Sequence, residues 1–221
     1  MKTGTIGAIA ISLAAAAFSR ANVIYSDIDT SGFNPYSGWS LMGTDYNNGN
    51  GMIIAASFDT GSYAGALGSI SLAVDWWGAS GTGAGTNDFG VSLVADASNL
   101  PDTTQTLYNW DLPNVPGIFA TWSAEVLTPS TTLNLTANTQ YWIVVTPGAA
   151  DTFGSWVTSN DTTSQGLDAF ETVGGSFWNS TLTPNLAFEV DGTATPEPAT
   201  LITLGLGAAA IAVRRRRQSK K

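Results

Sequence analysis

Carboxylates and indoles carry most of the chemistry open to the long central segment of this chain. Between Asn22 and Ala194 there is no Lys, Arg, His or Cys, while all eight Trp and all 17 acidic residues except Glu197 fall there. A Ser-His-Asp triad, a thiol nucleophile and a lysine base are therefore excluded, and so is a zinc site built from His or Cys. A pair of carboxylates remains, and such a pair suffices for glycoside hydrolysis when one pKa is raised. Asp75, Asp111, Glu125, Asp151, Asp168 and Glu171 are conceivable members. Sequence spacing sets no two of them across a cleft, and solvated surface carboxylates are the plainer reading. The expectation is a protein without enzymatic activity.

Two binding readings survive. Asp27-Ile28-Asp29-Thr30-Ser31-Gly32 places oxygen ligands at positions 1, 3 and 5 with glycine at 6, like the start of a calcium loop. Position 12 is Gly38, where an EF-hand needs Glu, so the segment is either an Asx turn or a structural Ca²⁺ site held by Asp27, Asp29 and Ser31. No cofactor is required. For the indoles, strand alternation sets Ile70, Leu72, Val74 and Trp76 on an apolar face and Trp77 with Ser71 and Asp75 on a polar one. Trp156 falls with Gly154 and Thr158, again a polar face, whereas Trp122, Tyr141 and Trp142 read as buried. Trp77 and Trp156, with Asp75 as an acceptor, are thus candidate exposed platforms for neutral sugar rings. The alternative is that both fill core and rim, as Trp commonly does.

The elements that would position these residues are strands. Apolar and β-branched runs recur between clusters of Gly, Asn, Asp, Ser and Pro, without sustained helical periodicity. Candidate strands are Asn22–Ser26, Gly38–Gly43, Met52–Phe58, Ser69–Trp77, Phe89–Ala95, Gln105–Trp110, Ile118–Leu127, Thr131–Leu135, Gln140–Thr146, Ser155–Thr158 and Leu186–Val190. Asn47-Asn48-Gly49-Asn50-Gly51, Gly78 to Gly85 and Pro147-Gly148 supply turns. This pattern predicts an all-β domain over 22–194, a two-sheet β-sandwich of jelly-roll type. Its uncompensated negative charge repels phosphate backbones, which argues against nucleic acid as a partner. Divalent cations and neutral glycans are what such a surface accepts.

Both ends read as targeting signals. Lys2, the apolar run Ile6 to Phe18 and Ser19-Arg20-Ala21 make a signal peptide over 1–21, cleaved by signal peptidase before Asn22. At the other end, 195–221, Pro196-Glu197-Pro198 precedes an uncharged, helix-compatible run over 199–213, read as a single transmembrane helix. That run covers only about 22 Å at about 1.5 Å per residue. Arg214, Arg215, Arg216 and Arg217 then hold their end in the cytoplasm.

Pro-Glu-Pro, a short Gly/Ala/Leu-rich hydrophobic helix and an Arg cluster resemble the PEP-CTERM sorting tail of exported proteins in Gram-negative bacteria that make exopolysaccharide. The resemblance implies a transient inner-membrane anchor and recognition by an exosortase. Cleavage near Pro196-Glu197-Pro198 would follow, with transfer to the cell envelope, cell surface or extracellular matrix. A second segment, Leu133 to Val145, with Ala137-Asn138-Thr139 before a Tyr141-Trp142 strand, is similar to the choice-of-anchor sandwich domains found upstream of such tails. Together these imply an exported surface or matrix protein with a structural or adhesive role linked to exopolysaccharide. The alternative is a non-catalytic carbohydrate-binding module using exposed Trp. A carboxylate-based glycosidase is a weaker one.

Overall fold

The computed structural model describes residues 22–28, 33–78, 85–117, 124–160, 166–175, 177–181 and 186–193. The expected signal peptide, sorting tail and transmembrane run lie outside these residues, as do Asp29, Ser31 and Trp122.

Alternating and fully apolar runs form strands because their side chains find cover on one or both faces of a sheet. Among the described residues fourteen strands result: Asn22–Ser26 (β1), Phe33–Met42 (β2), Ile53–Asp59 (β3), Gly65–Leu72 (β4), Val74–Trp76 (β5), Phe89–Asp96 (β6) and Pro101–Leu112 (β7), followed by Glu125–Leu127 (β8), Asn134–Leu135 (β9), Gln140–Pro147 (β10), Phe153–Ser159 (β11), Asp168–Glu171 (β12), Asn179–Thr181 (β13) and Phe188–Gly192 (β14). All the ladders between them are antiparallel. The protein is mostly β, with several antiparallel sheets.

Hydrogen bonding divides the strands into three sheets, one more than expected. The order is β13-β12-β3-β10-β6-β7 in the largest, β1-β14-β4-β8 with β9 on β4 in the second, and β2-β11-β5 in the third. The third sheet exists because the expected strand Ser69–Trp77 breaks at Ala73. There the Ala73 N–H donates to Ala187 O at 3.1 Å and its carbonyl accepts from Val157 N at 2.8 Å. The chain leaves the second sheet as β4 and enters the third as β5.

All three sheets contribute to one core. Ile54, Phe58, Leu93 and Ile143 come from the six-stranded sheet, Ile70, Leu72 and Phe188 from the second, and Leu41 and Trp156 from the third. The period of two along a strand sends alternate residues of the six-stranded sheet outward. There Ala55, Trp142, Val144 and Ala169 form a second, smaller apolar cluster against which Ile53 and Trp178 pack. That outer face is where the candidate site lies.

The Asn/Gly-rich turn behaves as expected. Asn47, Asn48, Gly49 and Gly51 all take positive φ around a short 3-10 turn over Asn47–Gly49, conformations that Asn and Gly adopt most readily.

Candidate functional site

The sequence-predicted platforms fare differently. Trp156 is not exposed: its ring is fully buried, edge-on to Phe188 at 5.8 Å, and its indole N–H donates to Ala187 O at 3.1 Å. It lies with Gly154 and Thr158, as alternation requires, but that face is covered. Gly154 is small because a Cβ would approach Phe89 Cζ to 2.7 Å, and the Thr158 hydroxyl is satisfied by Ser37 O at 3.1 Å. Neither residue signals solvent.

Trp77 is half-buried, and its ring packs edge-on against Phe153 at 6.1 Å. Its N–H donates to Asp75 Oδ2 at 2.8 Å and to Ser155 Oγ at 3.1 Å. Asp75 is buried, not on a solvent-facing polar surface, because β5 has left the alternation of β4. It also accepts from the Ser155 N–H at 2.9 Å and from the Ser155 hydroxyl. Burial pushes its carboxyl above the usual aspartate range, with these hydrogen bonds pulling the other way. The Asp75 acceptors are thus taken up in pinning β5 to β11.

Asp27 is buried as well and accepts from the Tyr25 hydroxyl. It faces the buried Asp168, whose carboxyl is raised to about 8, first by burial and then by the negative charge of Asp27, against the Leu186 N–H donated to it. Asp27, the first residue of the segment read as either an Asx turn or a Ca²⁺ site, is therefore committed to the interior. Among the described residues no group of three or more Asp, Glu, His or Cys is placed to hold a metal ion.

The structure assembles a different site on the outer face of the six-stranded sheet. A cleft of about 310 Å³ is lined by Ile53, Ser92, Val144, Thr146, Glu171 and Trp178, with Thr103 and Thr106 on one side and Gly174-Gly175 on the other. Its floor follows from strand register. Ala169, Ala55, Val144, Ser92 and Asn109 stand in one row across five strands, and Glu171 pairs with Ile53 in the next position along.

The two walls are irregularities of the sheet. On β7, Val94 pairs with Thr106 and Ala95 with Asp102, so the residues between, Thr103 to Gln105, bulge out of the ladder. After β12, Gly175 N donates to Thr172 O at 2.8 Å and closes a turn. A Cβ on Gly175 would meet Thr172 Oγ1 at 2.7 Å and Glu171 Cγ at 3.1 Å, so the rim crosses directly over Glu171. Trp178 follows, half-buried, and Phe177 beside it is 83 % exposed.

Glu171 stands out chemically. It is only 9 % exposed, and no donor among the described residues reaches its carboxylate. Partial burial pushes its pKa up, while its carboxylate oxygens still reach solvent in the cleft. The sequence yields Glu171 only as one of six conceivable carboxylates, and Trp178 not at all. A Trp three residues beyond a Gly-Gly turn was the available signal.

The C-terminal segment is settled by comparison. Residues 194–217 match the PEP-CTERM protein-sorting motif. The chain carries an exosortase sorting signal. The PEP-CTERM match takes in Pro196, Glu197, Pro198 and Arg214 to Arg217, and it implies export and sorting to the cell surface. No curated protein and no solved structure matches this chain. Among the described residues no helix is long and apolar enough to cross a membrane, and 199–213 lies outside them.

Proposed function

We propose that this chain is delivered by its PEP-CTERM signal to the cell envelope or matrix, where its β domain serves a structural or adhesive role toward exopolysaccharide. The single observation that carries the reading is the motif at 194–217, attached to a domain that has no basic side chain. The sheets are read as layers of a β-sandwich of jelly-roll type, with exosortase acting at Pro196-Glu197-Pro198. The domain is read as non-catalytic. Glycoside hydrolysis needs two carboxylates flanking the scissile bond, whereas among the described residues Glu171 is the one carboxylate lining the outer cleft, and the Asp27–Asp168 pair is buried.

Replacing Pro196, Glu197 and Pro198 together by alanine in the native host tests the sorting step. The expected result is a full-length form retained in the membrane fraction, while the unaltered chain is shortened and reaches the surface or medium. Equal shortening and release of both would overturn the reading.

A further inference from the structure

We propose that the outer cleft of the six-stranded sheet binds neutral pyranose units of a polysaccharide, with Trp178 as the ring platform and Glu171 accepting sugar hydroxyls. The proposal deepens the adhesive reading above by giving it a site and a ligand class.

Three observations converge on that ligand. The first is the state of Glu171, its stem covered at the edge of the floor and its carboxylate open to the cleft without a donor among the described residues. A carboxylate open to the cleft has free acceptor capacity, and hydroxyl groups form short, charge-assisted hydrogen bonds with it. The second is the rest of the lining. Ser92, Thr103, Thr106 and Thr146 bring hydroxyls, while Ile53, Val144 and the Trp178 indole bring apolar surface. That mixture suits a ring with polar edges and C–H faces. The third is charge. The segment from Asn22 to Ala194 has no Lys, Arg or His, so a phosphate, sulfate or uronate ligand would meet Glu171 with no cation to offset it. With no group of three metal-ligating side chains among the described residues, a bare divalent cation is poorly served too.

The volume of about 310 Å³ lies at the lower end of small-molecule pockets. A cleft this size takes a short stretch of a polymer, and repetition along the polymer would compensate for modest affinity at each stretch.

The test is affinity electrophoresis of the full chain in mild detergent through native gels containing a soluble β-glucan, a mannan or a galactan, with polygalacturonate as the anionic control. Retardation by at least one neutral polymer and none by polygalacturonate is expected. Trp178→Ala should abolish it. Glu171→Gln should weaken it about tenfold, the scale of one hydrogen bond to a charged group.

Thermal melting accompanies each variant. Glu171→Gln keeps the side chain's shape and breaks no hydrogen bond among the described residues, so it should melt close to the unaltered chain, and weaker binding in that variant reports the site and not the fold. Unretarded migration in all three neutral gels overturns the proposal, as does retardation that Glu171→Gln and Trp178→Ala leave unchanged. Either failure would leave the sorting result intact, because surface delivery is read separately by fractionation.

Discussion

Asp168 shows what a single buried carboxyl does to this fold. Its pKa stands at about 8 in the folded protein, against about 3.9 for an exposed aspartate. The folded state therefore holds a proton that the unfolded state has released, and stability falls as pH rises between those values. Below about pH 4 both states are protonated and above about pH 8 both are ionised, so this group adds no slope there. Asp168→Asn keeps the shape of the protonated acid, including an acceptor for Leu186 N–H, and removes the charge that Asp27 opposes. It should raise stability at pH 8 by a few kcal/mol and leave it nearly unchanged at pH 4. Urea titrations of both proteins at pH 4, 6 and 8 measure this; parallel pH profiles would contradict it. At the same scale, the sequence separates core from surface well where neighbours are apolar, as for Tyr141 and Trp142. It misleads at Trp156, whose small or polar neighbours Gly154 and Thr158 are there for close packing and a hydrogen bond.

Strand β11 is the element whose tolerance is lowest by this argument. Gly154 sits where a Cβ would overlap the Asp75 carbonyl and come within 2.7 Å of the Phe89 ring, with backbone on one side and core on the other. Gly154→Ala should cost about 3 kcal/mol or more, through overpacking and loosening of the β5–β11 ladder. Calorimetry would show a lowered Tm, and an unchanged Tm would mean that β5 can shift. The long apolar strands β3, β6 and β10 were legible from sequence because each carries enough Ile, Val, Leu, Ala or aromatic residues to demand cover. β12 and β13 were not. Asp-Ala-Phe-Glu and Asn-Ser-Thr are too short and too polar to announce strands, and they are held in place by pairing with β3 and with each other. Those two unpredicted strands position Glu171 and Trp178, which is why the candidate cleft was invisible while most of the sheet was not.

For the whole molecule, the governing fact is a folded unit, Asn22–Thr193, with negative side chains and none of the opposite sign. No side-chain ion pair can form within it, and its carboxylates repel one another. Raising NaCl from about 0.01 to about 0.5 M shortens the screening length from about 30 Å to a few ångström. Tm should therefore rise by a few degrees in calorimetry; a fall would mean that repulsion is not a significant destabilising force. The same charge bears on what crowding does to a surface protein. β7 ends the six-stranded sheet, and a terminal strand offers unpaired backbone groups onto which another copy can zip. Here that rim is interrupted. Thr103 to Gln105 leave the ladder, and Asp102 knots them together by accepting from Thr104 N at 3.0 Å and from Gln105 Nε2 at 2.6 Å. Molecules delivered side by side thus meet along a broken, like-charged border. Such a border resists edge-to-edge growth into a cross-β fibre.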